Sequence, residues 1–133
     1  DKPIEMGTYP YPLFVAYGTE SVETVYPIVK AMINGYDSYK NDVPGAAGLD
    51  VKRQTMKWVL PFHPGTVKAL KEAGHWTAED QAHNDGLIKR QQVLAAAWTT
   101  YTKTNPPDDK FADGWTAARR AALAQAKLPD PFD

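Results

Sequence analysis

The sequence predicts a mainly α-helical chain with a single short β-strand close to its N-terminal side, and two observations predict it. Beyond residue 19, apolar residues recur at three- and four-residue spacing in segment after segment, each bounded by helix-start and helix-stop residues. Only Leu13-Phe14-Val15-Ala16-Tyr17, closed by Gly18, has the length and the aromatic, β-branched character of a buried strand. A lone strand is unstable in water because its backbone needs neighbours. Either further strands lie in weaker segments, or the rest of the sheet lies in chain outside these residues.

The elements follow in order. Pro3, Gly7, Pro10 and Pro12 make the first twelve residues an extended connector into the strand. Val22, Val25, Tyr26, Val29, Met32 and Ile33 then form the apolar stripe of a helix that Gly35 stops. Pro27 is tolerated if that helix begins near Thr24, where first-turn amides lack partners anyway, and kinks it otherwise. Residues 34–48 are rich in turn formers, and residues 50–58 predict a short amphipathic helix with Val51, Met56 and Val59 inward. A loop over 60–65 leads to a helix over 66–73 with Gly74 as its closing glycine. Thr77 and Asp80 have the spacing of a capping box and open the longest helix. Its apolar face is Leu87, Ile88, Gln91, Leu94, Ala95, Trp98 and Tyr101, and Asn105-Pro106-Pro107 ends it. Asp108 is the expected cap of a last helix with Phe111, Trp115, Ala118, Ala122 and Leu123 on one side, and residues 128–132 form a strap.

Composition narrows the function. With 133 residues, 43% of them hydrophobic and 23% charged, the chain has globular composition and enough length for one core. Fifteen basic against 16 acidic residues give a net charge of -1, so no global field draws it to nucleic acid or an anionic membrane. The absence of cysteine removes disulfide scaffolds, CxxC redox sites and thiolate metal sites. Apolar runs stay far below the ~20 residues of a membrane helix. The chain starts at Asp1 with no basic and apolar leader pattern, which predicts a processed mature chain or a piece of a larger one.

Candidate catalytic groups are sparse. His63, His75 and His83 form no HExxH and no i,i+4 pair, so backbone-bonding, surface or capping roles are expected of them. Ser21 and Ser38 sit in no nucleophile elbow, and Glu79, Asp80, Asp108 and Asp109 fall in first turns, where they complement the helix dipole. Lys52-Arg53, Lys89-Arg90 and Arg119-Arg120 read as solvated helix faces. Tyrosines are dense early in the chain, at positions 9, 11, 17, 26, 36 and 39. Covering a helix–sheet seam is the simpler role for each, with Tyr9 and Tyr11 as exceptions, because an extended connector presents its side chains to whatever it crosses.

Several segments fall in a familiar order. Gly7-Thr8-Tyr9 precedes the strand, and Tyr-Pro-Ile-Val-Lys-Ala-Met-Ile-Asn-Gly-Tyr-Asp follows over residues 26–37. Leu60-Pro61-Phe62-His63-Pro64-Gly65, Lys71-Glu72-Ala73-Gly74, Trp76-Thr77 and the run from His83 to Gln91 come next, with Leu94 and Ala97-Trp98 beyond. Together these resemble the C-terminal part of the TAXI-type solute receptors of TRAP transporters. The resemblance implies an α/β parent fold, a two-lobed periplasmic solute-binding protein that closes on a small anionic or amino-acid-like solute. Such a receptor delivers its solute to membrane permease subunits driven by an ion gradient, and uses no catalytic residue, cofactor or metal. It further implies that residues 1–18 are the crossover connector and strand, that residues 19–133 are the helical C-terminal portion of a lobe, and that an N-terminal portion is missing. Gly7, Thr8 and Tyr9 would be hinge or ligand contacts, with Tyr11 beside them, whereas His63, Pro64 and Gly65 would be a structural turn.

Two functions from different classes follow. One is the C-terminal portion of a periplasmic receptor for a small carboxylate or amino-acid-like solute. The other is a receptor-like accessory subunit that docks on a larger membrane-associated assembly through its aromatic N-terminal segment and an exposed sheet edge. A small hydrolase built on His63 or His75 is disfavoured by the missing nucleophile and ligand sets.

Overall fold

In the computed structural model, residues 3, 13–42 and 44–131 are described, and they form two helical pairs joined along one long helix. The first pair is α1 (Val22–Asn34) against α3 (Pro64–Glu72), with the four-residue α2 (Tyr36–Tyr39) turned off the end of α1. The second is α4 (Ala78–Thr102) against α5 (Asp108–Gln125).

Local chemistry explains most helix ends. Ser21 caps α1 by accepting the Thr24 amide at 3.1 Å. Thr77 and Asp80 form the reciprocal box that opens α4, each side chain taking the other's backbone amide at 3.1 and 2.9 Å. Helix α3 closes in a Schellman turn: Gly74 lies at φ 74°, its amide bonds the Lys71 carbonyl, and the His75 amide reaches Leu70. Helix α5 closes identically, with the amides of Lys127 and Leu128 bonding Ala124 and Leu123. There the left-handed position is Lys127, at φ 55°, a conformation a Cβ disfavours.

Several expectations are corrected. The described residues contain no strand: residues 13–17 form no regular element and no ladder, and Phe14, Val15 and Tyr17 are 69%, 82% and 81% exposed. All other described segments are helical, turn-like or irregular, so no neighbouring strand among them takes up that backbone. The helix expected over 50–58 shrinks to a single 3-10 turn at Val51–Arg53. Gln54 is the reason, because its side-chain amide donates to the carbonyls of Gly48 and Asp50, and its backbone amide bonds Val51 one residue too early for an α-helix. Val59, expected inward, is 61% exposed. Pro27 sits well inside α1, not in its first turn, so the Glu23 carbonyl loses its intrahelical donor on an exposed side of the helix. Helix α3 starts at Pro64, two residues before the expected start, and Asp108 is the first residue of α5 while Pro107 holds the cap position without a side-chain bond. Arg119 is no solvated cation: its Nε and Nη2 donate to Asp130 at 3.2 and 3.1 Å, which ties the segment after α5 back onto that helix.

The α4–α5 pair is sealed by aromatic edges. Trp98 meets Trp115 at 4.9 Å and Phe111 at 5.6 Å, and the Tyr101 hydroxyl donates to the Phe111 carbonyl at 2.8 Å. Gly114 makes room, since a Cβ there would lie 3.1 Å from two Tyr101 ring carbons. Deep burial is scarce. Val25, Ala46, Val67, Ala69, Leu70, Leu87 and Leu123 are the buried apolar side chains among the described residues.

Two measurements probe these ends. Lys127→Gly relieves the left-handed strain and is expected to stabilise the fold by about 1 kcal/mol, read as a higher urea midpoint. The Thr77 hydroxyl, followed by the Thr77 amide, holds the Asp80 carboxyl below the usual carboxylate range. A lowered folded value means that its stabilisation is present at neutral pH and is lost as pH falls through that value. Asp80→Asn should therefore be less stable than the parent at pH 7, with the gap narrowing below about pH 4 in parallel urea titrations.

Candidate functional site

The turn that opens α3 is built from three consecutive residues. Pro64 occupies the first helical position, where its fixed φ suits the helix and its missing amide is not needed. The ring of His63 caps α3 through Nδ1, which accepts the Gly65 amide at 3.0 Å. An accepting Nδ1 carries no proton, so Nε2 holds it and donates to the Glu20 carbonyl at 3.1 Å, just before α1. One imidazole thus joins the starts of two helices. Gly65 sets how closely they approach: a Cβ there would lie 2.8 Å from the Tyr26 amide nitrogen and 3.0 Å from the Val25 Cβ.

The segment leading into this turn hangs on α4. Asn84, 3% exposed, accepts the Phe62 amide through Oδ1 at 2.7 Å. His83 Nε2 lies 2.7 Å from the Trp58 carbonyl, and Arg90 Nη2 donates to the Val59 carbonyl at 3.1 Å. Phe62 stacks edge-on against Trp76 at 5.4 Å, and the Trp76 indole donates to Gln81. Lys57 pairs with Glu79 at the mouth of the same segment.

A second polar group ties α1 to α3. The Tyr26 hydroxyl donates to Glu72 at 2.6 Å and accepts from the Lys30 ammonium at 2.7 Å, and Lys30 also reaches Glu72 at 3.0 Å. The Tyr26 hydroxyl, then Lys30, holds the Glu72 carboxyl below its ordinary range, and the Tyr26 hydroxyl, then Glu72, raises Lys30. Lys68 lies over the Tyr26 ring, 4.2 Å from its centroid.

Of the sequence-predicted site residues, His63, Pro64 and Gly65 come together at the α1–α3 junction, while Gly7, Thr8, Tyr9 and Tyr11 lie outside the described residues. The remaining early tyrosines do not converge. Tyr26 joins the polar group, Tyr36 meets Tyr39 edge-on at 5.7 Å, and Tyr39 donates to the Met32 carbonyl at the end of α1. Asn84 and the Tyr26–Lys30–Glu72 group were missed as functional residues, since nothing in their local spacing marks residues that meet across 22 to 46 positions. Among the described residues, no three His, Asp or Glu side chains are grouped to hold a metal ion, and no helix is long and apolar enough to cross a membrane. No family model, no curated protein and no solved structure matches this chain.

Gly65→Ala separates α1 from α3. A loss of about 1–3 kcal/mol is expected in urea unfolding.

Proposed function

We propose that this chain is the C-terminal portion of a periplasmic solute receptor of the TRAP type, binding a small carboxylate or amino-acid-like solute for ion-gradient-driven uptake. One observation carries the proposal. Residues 13–17 are apolar, exposed and without a strand ladder among the described residues, and a turn over residues 18–20, closed by the Glu20 amide on the Tyr17 carbonyl, leads from them to the Ser21-capped α1. Such a run gains most by adding to a sheet, where its amides and carbonyls find partners and its side chains leave water. An α/β lobe completed by further chain would supply that sheet. The α1–α3 pair, held together by His63 and Gly65, would then cover one of its faces.

In this assignment the chain catalyses nothing. Gly7, Thr8, Tyr9 and Tyr11 would belong to the crossover and contact the solute or hinge the lobes, and His63, Pro64 and Gly65 keep the covering helices in place. The permease subunits and the N-terminal portion are its partners.

The intact mass of the native polypeptide from cells is the first test. A mass well above 14.7 kDa is expected, with micromolar binding of an amino acid or dicarboxylate by that intact protein in titration calorimetry. A native mass near 14.7 kDa, a flat titration and co-purification with a large complex would overturn the receptor assignment and favour an accessory subunit.

A further inference from the structure

Between α3 and the first turns of α4 lies an open groove of about 460 Å³. We infer that it binds a small organic acid with a compact apolar body, its carboxylate held by Lys71, Lys68 and the side-chain amide of Asn84. Two helical registers build it. Lys68 and Lys71 share one face of α3, and Asn84, Asp85 and Ile88 share the facing side of α4.

Charge selects an anion. The carboxylate of Glu72, at the edge of the groove, is already engaged by the Tyr26 hydroxyl and Lys30. Asp85 accepts only the neutral amide of Gln81, at 2.8 Å. Lys71 makes no ion pair among the described residues, and Lys68 is poised over the Tyr26 ring at the α1 side. Lys68 and Lys71 line the groove with Glu72 and Asp85, and Lys30 pairs with Glu72 from α1, so the three cations at the groove exceed its two acids by one.

Asn84 adds direction. Its Oδ1 is committed to the Phe62 amide, which leaves Nδ2 without a hydrogen bond among the described residues. That nitrogen is not sealed from solvent either, and the groove is the opening Asn84 lines. A buried amide donor in this position is served by water or by a ligand oxygen. The walls supply the rest: Phe62, Val67 and Ile88 are apolar, and Ile88 is 37% exposed. An inorganic anion would leave that surface wet, and a neutral hydrocarbon would leave the Asn84 amide unserved. Apolar walls with a few convergent polar groups, in a volume of roughly 300–1,000 Å³, are the usual make-up of a small-ligand site.

The site lies wholly within described residues and does not rest on the receptor assignment, so either can fail alone. Phenylacetate is a suitable probe, with phenethylamine as the same body carrying the opposite charge. Titrated into the isotope-labelled 133-residue chain, phenylacetate is expected to give saturable shifts of the Asn84 side-chain amide and of the Val67 and Ile88 backbone amides, and phenethylamine none. The double variant Lys68→Gln with Lys71→Gln should weaken binding by up to about fivefold, and Asp85→Asn should tighten it. Absence of saturable shifts, equal response to phenethylamine, or unchanged affinity in a double variant with the parent's circular dichroism would overturn the inference.

Discussion

The buried amide of Asn84 is the contact on which the rest of the structure depends. Residues 57–63 have no helix or sheet of their own to satisfy their backbone, so α4 provides the partners. Asn84 takes the Phe62 amide, His83 the Trp58 carbonyl and Arg90 the Val59 carbonyl. Removing the acceptor from a buried amide costs about 1–3 kcal/mol, comparable to burying a large apolar side chain. Phe62 directly precedes His63, so anchoring it places the imidazole that caps α3 and reaches back to α1. The position of the first helical pair relative to the second thus passes through this segment, with the Asn84 bond next to the His63 turn.

Helix α4 serves two unlike neighbours. At 25 residues it is about 37 Å long. Its first half presents polar side chains to an irregular segment, and its second half presents Trp98 and Tyr101 to α5. Both sets use one side of the helix, where His83 and Tyr101 come back into register after about five turns. Leu87 falls within that side and is buried, whereas Ile88, about 100° further round, is 37% exposed. With few apolar side chains fully buried, caps and cross-element hydrogen bonds carry an unusual share of the organisation. The Tyr26–Lys30–Glu72 group and the Arg119–Asp130 pair are its outermost ties.

The same ties shape what the surface can do. Lys30 offsets the Glu72 charge at the edge of the α3–α4 groove, so a contact that secures helix packing also tips the charge around the groove towards positive. Apolar surface is also displayed along residues 13–17 and at Val59 and Leu60.

The sequence by itself determined where α1, α3, α4 and α5 lie and how most of them end. Gly35, Gly74, the Thr77–Asp80 box and Asn105-Pro106-Pro107 act on residues within a single turn, and such contacts form whatever the rest of the chain does. The local half of the His63 turn was legible for the same reason, since its bond to Gly65 spans two residues. The bond from His63 to Glu20 spans 43, and that from Asn84 to Phe62 spans 22, and no spacing rule reports either. Only the tertiary structure decided which side of α4 faces inward, that Gln54 would stop a helix by taking carbonyls behind it, and that Arg119 has an acid to hold. It also left residues 13–17 without a ladder, because periodicity reports what a segment's side chains prefer, whereas a strand exists only when another backbone comes to meet it.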